Sequence, residues 1–171
     1  HALAAIVGMD LDNVLIDLDG GEMPILDGSA RVYTEAIEKA GITEQEAERE
    51  YLKITEKIVY KNEKTGSELI ALPDDEYRLN VLISFDSSVL SNQFASLDRI
   101  SEFKKEIASC RTFVFLRELE FLLKNNLVKG GDLDNAIVIM DRKVSQEELD
   151  RLADLFHHDR VAVRETQGIL N

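Results

Sequence analysis

Thr112 stands between Arg111 and Phe113, with Phe115 two residues further on. A small hydroxyl beside two large rings suits the wall of a lined pocket, where one polar group orients an otherwise apolar ligand. Other residues able to do chemistry are sparse. The histidines are His1, His157 and His158, whereas a catalytic zinc normally takes three protein ligands and keeps one position open for water. His157 and His158 are adjacent, so a helix would point them about 100° apart. Both are read as solvated residues at a helix C-terminus, where a cationic imidazole is mildly favoured. His1 alone defines no site. Cys110, the single cysteine, would need a basic partner to act as a nucleophile and is read instead as a buried thiol. Asp27 and Asp134 are read as turn residues. There is no G-x-S-x-G elbow, phosphate loop or dinucleotide fingerprint, because Gly20-Gly21 and Gly130-Gly131 lack the flanking glycines such motifs need.

The chain around these residues has a globular composition, with 44% hydrophobic and 31% charged residues in 171 positions. That length suits one ordinary domain or two small ones. With no tryptophan, any core must be filled by Leu, Ile, Val and Phe. A formal net charge of −13 repels phosphate backbones and argues against a nucleic-acid partner or a basic membrane-surface patch. The acidic excess is read as solvated helix faces. One cysteine permits no intrachain disulfide and nothing suggests secretion, so a cytoplasmic protein is expected. No apolar run approaches the ~20 residues of a membrane span. The first residue is His1 and neither end carries a start, cap or stop pattern, so the chain is expected to be trimmed at both ends.

The hydrophobic periodicity outlines the elements that must position Thr112. Residues 1–9 read as the end of a helix terminated by Gly8, and residues 13–19 alternate as a strand. Asp27-Gly28 marks a turn, and Ser29 is the expected N-cap of a helix reaching Ala40, with Val32, Tyr33, Ala36, Ile37 and Ala40 on its apolar face and Gly41 after it. Residues 43–49 predict a short charged helix capped by Thr43. Beyond a boundary at 52/53 the pattern becomes strand-like: 58–60 and 68–72 read as a hairpin, and 77–85 alternate strictly. Residues 96–110 predict a helix with Leu97, Ile100, Phe103, Ile107 and Ala108 inward. A second helix spans 116–126 with Leu119, Leu122 and Leu123 on one side, and 135–140 is a buried strand. Ser145 and Glu148 have capping-box spacing for a helix reaching His157, and 160–164 predict a short strand. Helices and hairpins are grouped rather than strictly alternating, which gives an α+β fold in two layers of helix and sheet.

Two blocks carry a family resemblance. PILDGSA at 24–30, preceded by HALAAIVGMDLDNVLIDLDGGEM, resembles the first domain of the zinc-dependent UDP-3-O-acyl-N-acetylglucosamine deacetylases. RTFVFLRELEFLLKNNLVKGGDLDNAIVIMD at 111–141 resembles their second domain. Either block alone is a weak signal; both, in order, cover essentially the whole chain. The resemblance implies a hydrolase of lipid A (lipopolysaccharide) biosynthesis in Gram-negative bacteria, with residues 1–52 ending the first α+β domain and 53–171 forming most of the second. It implies a zinc cofactor with His1 as one ligand, and Thr112 as the donor that stabilises the oxyanion of the tetrahedral intermediate. It places Phe113 beside the glucosamine, Phe115 and Leu119 in the walls of an acyl passage, Leu133 and Val138 as further apolar lining, and Phe85 stacked on the uracil. The substrate is UDP-3-O-(3-hydroxyacyl)-N-acetylglucosamine, and some family members carry a fused 3-hydroxyacyl-carrier-protein dehydratase domain.

Read from the residues alone, Phe85, Leu119 and Val138 also fit ordinary core positions, and Thr112 also fits the cap of the following helix. The family's catalytic Glu should precede His1, while its His-x-x-x-Asp zinc motif and acid histidine lie beyond a point matching Asn171. The 171 residues by themselves are therefore expected to bind zinc weakly or not at all and to lack hydrolase activity, which belongs to the parent protein. A non-catalytic nucleotide-sugar or acyl-chain binding protein on the same scaffold is the alternative, and a purely structural interaction domain a third.

Overall fold

The computed structural model describes residues 1–87, 89–128, 130–160, 162, 168 and 169. The chain begins with α1 (Ala2–Gly8), whose buried residues Ala2, Ala5 and Gly8 recur every third position and form a stripe of small side chains. Small residues let a neighbour approach closely: a Cβ on Gly8 would lie 2.0 Å from the Phe103 ring. Helix α2 (Arg31–Ala40) stops at Gly41, whose φ of 86° suits a residue without a Cβ. Its N-cap is Ala30 rather than the expected Ser29. The Ser29 hydroxyl donates to Asp27 Oδ1 at 2.8 Å and accepts the Arg31 N–H at 3.1 Å, so it serves the preceding turn as well as the helix.

Two antiparallel hairpins follow. Strands β1 (Ile58–Lys61) and β2 (Glu68–Ala71) pair from Ile58↔Ala71 to Lys61↔Glu68. Strands β3 (Leu79–Ser84) and β4 (Asn92–Leu97) pair from Leu79↔Leu97 to Ser84↔Asn92. The helix expected at 96–110 shrinks to a 3-10 turn (Ile100–Glu102) and α3 (Phe103–Glu106), because Ser96 and Leu97 are committed to β4, paired with Asn80 and Leu79 of β3. The strand expected at 13–19 is not formed. Its apolar residues remain exposed, Leu15 almost fully. The helix expected at 43–49 is also absent: Arg49 instead holds Asp10 and Asp12 at 2.8 and 2.7 Å, which draws the segment back to the end of α1.

The third sheet contains the Thr112 region. Strand β5 (Phe113–Phe115) runs parallel to β6 (Ile137–Met140), with α4 (Leu116–Lys124) as the crossover between them, and β6 pairs antiparallel with β7 (Gly168–Ile169). Helix α5 (Gln146–Phe156) begins at Ser145, whose hydroxyl accepts the Glu148 N–H as the spacing predicts. The Glu148 carboxylate turns outward to Arg142. Replacing Ser145 by Ala should cost about 1 kcal/mol. Amide exchange in the first turn of α5 should then quicken about fivefold; unchanged protection there would contradict the cap assignment. The strand expected at 160–164 lies largely outside the described residues, as does the side chain of Leu123.

Two apolar cores result. One joins Ala5 and Ala30 to Leu97, Phe103 and Ala108, so it draws on residues from both sides of the expected 52/53 boundary. The other is built from Leu116, Leu119, Val138, Met140, Leu149 and Leu152. The architecture is α+β as expected. Among the described residues no helix is long and apolar enough to cross a membrane.

Candidate functional site

The segment 24–30 and the residues around Thr112 converge because the backbone is knitted across them. Gly28 adopts φ +75° and lies so close to the turn before β6 that a Cβ would sit 1.7 Å from the Asn135 carbonyl oxygen. Its own carbonyl accepts the Thr112 N–H at 2.9 Å, and the Thr112 carbonyl accepts the Ile137 N–H at 2.9 Å. Arg111 tightens the same junction, donating through Nε to the Asp27 carbonyl at 3.0 Å and through Nη2 to the Leu133 carbonyl at 3.3 Å. Burial works against the charge of Asp27, but hydrogen bonds from Ser29 and Arg31 outweigh it and hold the carboxyl below its ordinary value. Both main-chain polar groups of Thr112 are thus used structurally, and its side chain is left to a different task.

Thr112 lies on the wall of a cavity of about 700 Å³, within the range of small-molecule sites. Its lining is mostly apolar. Leu119 from α4, Leu133 from the turn and Val138 from β6 face Leu149, Leu152 and Phe156 of α5. Polar groups gather where the loop after α4 meets the end of α5: His158 Nε2 lies 2.9 Å from Asp132 Oδ1. Asn135 shapes that loop by accepting the Asp132 N–H and donating to the Gly130 carbonyl. On the outer side, hydrogen bonds from Arg151 and Lys124 hold Glu120 down to about 2, tying α5 to α4.

An aromatic cluster adjoins the cavity. Phe85, Phe113 and Phe115 meet edge to face with centroids 5.5 to 6.1 Å apart, an arrangement aromatic quadrupoles favour. The Arg117 guanidinium lies 4.5 Å over the Phe115 ring and is paired with Asp141.

The sequence model of the UDP-3-O-acyl N-acetylglycosamine deacetylases matches residues 1–160. This chain belongs to that family. It is similar to the bifunctional enzyme LpxC/FabZ of Bacteroides thetaiotaomicron, 52% identical over 155 residues, which cover 91% of this chain and 34% of that protein. It is 48% identical over 171 residues to the bifunctional enzyme LpxC/FabZ of Porphyromonas gingivalis, covering 100% of this chain and 37% of the relative. To the UDP-3-O-acyl-N-acetylglucosamine deacetylase of Nitratidesulfovibrio vulgaris it is 40% identical over 161 residues, covering 94% and 52%. The chain thus spans between a third and about half of the length of these curated relatives.

Of the residues that the deacetylase resemblance assigns, Thr112, Phe113, Leu119, Leu133 and Val138 come together on one cavity. Leu119 and Val138 belong at once to the core and to the wall, so their two readings coincide. Phe85 and Phe115 lie in the aromatic cluster and reach the cavity only through Phe113. His1, exposed at the start of α1, is not part of the lining. Among the described residues no group of three or more His, Cys, Asp or Glu side chains is placed to hold a metal ion. These residues alone therefore do not fit a zinc centre.

Two readings need correction. Cys110 is exposed, with Sγ 3.8 Å from the Glu106 carbonyl oxygen; Ala108 takes the buried position where the chain leaves α3. His158 is half-buried and paired with Asp132 rather than simply solvated, whereas His157 is the exposed left-handed cap that ends α5. Two contributors to the site carry little signal in the sequence. Arg111 was a flanking residue in the sequence, and its partners are main-chain carbonyls that no side-chain pattern reveals. The stripe of Leu149, Leu152, Ala153 and Phe156 did signal an apolar helix face, but not that this face meets a cavity.

Proposed function

We propose that the protein containing this chain hydrolyses the N-acetyl group of UDP-3-O-(3-hydroxyacyl)-N-acetylglucosamine, releasing acetate and the free amine, in lipid A biosynthesis. The observation that carries this reading is the placement of Thr112: a residue with its main chain clamped on both sides, on the wall of a mostly apolar cavity. In this reading the acyl chain occupies the cavity between α4, β6 and α5, where the lining excludes water from the chain. The acetamide carbonyl then lies against Thr112. As water adds to the carbonyl carbon, the oxygen gains negative charge and the Thr112 hydroxyl donates to it. When the C–N bond breaks, its electron pair stays on the nitrogen, which takes up the proton that the attacking water gives, so that acetate and the amine separate. The Phe85–Phe113 pair offers ring faces and edges for the sugar and uracil.

Zinc is the metal that the family resemblance implies for the whole protein, where it would supply Lewis-acid activation of water, with His1 as one proposed ligand. A division into two domains at 52/53, a cytoplasmic location and a fused 3-hydroxyacyl-carrier-protein dehydratase domain belong to the same proposal. The last is favoured by the likeness to bifunctional relatives.

The test is acetate release from the UDP-sugar substrate by the full-length protein. Turnover supports the deacetylase. Tight binding of the substrate without acetate release supports the non-catalytic binding protein instead, and no UDP-sugar binding overturns both.

A further inference from the structure

We infer that α5 is a gauge for the length of the chain that the cavity accepts, with Ala153 and Phe156 as the residues that set it. One whole face of this helix belongs to the cavity: Leu149, Leu152, Ala153 and Phe156 all line it. Their spacing of three, one and three residues is that of a single helical stripe. Leu149 and Leu152 are buried at 4% and 6% exposure and also serve the core, so they are not free to change size independently. Ala153 and Phe156 are half-buried and differ most in size along the stripe. Ala153 leaves room where any larger side chain would intrude on the cavity, and Phe156 closes space that a smaller one would open.

The helix is also fastened across the cavity rather than merely resting on it. Arg151 forks onto Glu120 of α4 at 2.8 and 3.0 Å, and His158, just past the helix end, reaches Asp132 on the loop after α4. Exposed pairs of this kind add little stability, but two of them at separate points favour one spacing of α5 against α4 and the loop that follows it. A wall held at fixed spacing measures what lies against it, and one methylene too many or too few in an apolar pocket changes selection by roughly 10- to 200-fold.

The inference rests on the deacetylase reading for the identity of the chain, a 3-O-acyl group, and its test separates the two. Full-length parent, Ala153→Phe and Phe156→Ala proteins are compared on UDP-sugar substrates carrying acyl chains from short to long. The readout is the ratio of kcat/KM for long over short chains, which a general loss of activity leaves unmoved. The ratio should fall about tenfold or more in Ala153→Phe and rise in Phe156→Ala. Isothermal titration with free 3-hydroxy fatty acids of the same lengths gives an independent readout that needs no turnover. If the parent deacetylates and neither variant moves the length profile, the gauge is overturned and the deacetylase reading stands. If no protein turns over but the fatty-acid length optimum shifts with the variants, the gauge stands and the deacetylase reading falls. Should Ala153→Phe fail to fold, Phe156→Ala decides alone.

Discussion

Replacing Thr112 by Val in the full-length protein is expected to lower kcat by about 10²- to 10³-fold, with little change in KM. Valine keeps the shape of threonine and removes only the hydroxyl. The structural work at this position is done by the main chain, through the Gly28 carbonyl and the Ile137 N–H, and valine supplies both partners unchanged. A β-branched residue also suits the approach to β5. The hydroxyl therefore contributes chiefly where charge appears on the acetamide oxygen, which happens in the transition state and not in the bound substrate. Steady-state kinetics on the acetamide substrate, with circular dichroism to confirm folding, decides the matter. A kcat within about threefold of the parent would show that Thr112 is only a wall residue.

The second large effect concerns Gly28. Substitution by Ala should destabilise the protein by about 3 kcal/mol or more, because two penalties coincide. A φ of +75° is strained for any residue with a Cβ, and the new carbon would lie 1.7 Å from the Asn135 carbonyl oxygen. That oxygen is backbone, so no side-chain rotation relieves the clash. Either the 24–30 turn or the turn before β6 must move, and the Gly28 carbonyl carries the Thr112 N–H with it. Denaturant unfolding should register the stability loss, and activity should drop even where the protein stays folded. A variant with parental stability and activity would mean that the two turns are not in contact as described.

Much of the fold was legible because it is written in local periodicity. Strand β3 alternates apolar and polar residues except at Leu82, α4 and α5 show three- and four-residue spacing, and Ser145 supplies its cap chemistry within three residues. Failures arose where local pattern met tertiary demand. Residues 13–19 alternate as a strand should, yet alternation says which side chains share a face, not whether another strand offers an edge. Asn92–Leu97 contains Asn, Gln and Ser and reads poorly as a strand, but pairing with β3 recruits it and shortens the helix that follows. At the site, Thr112 and the apolar wall were visible through residue type and family likeness. The clamp around Thr112 was not, since Gly28, Asn135 and Arg111 act through backbone groups far apart in the chain.

The same clamp has a consequence for the order in which the protein folds. Strands β5 and β6 meet at Phe113↔Ile137 through a short crossover, and Arg111 reaches Leu133 across only 22 residues. Its other hydrogen bond, to Asp27, spans 84 residues. Closing the longer loop costs about 1 kcal/mol more in chain entropy, and contacts of that range tend to slow folding. The βαβ unit and much of the apolar wall are therefore placed to form early, while the 24–30 turn docks late. Thr112 gains its final tether in that last step, so a partly folded form of this protein would hold much of the cavity wall before it holds an aligned hydroxyl.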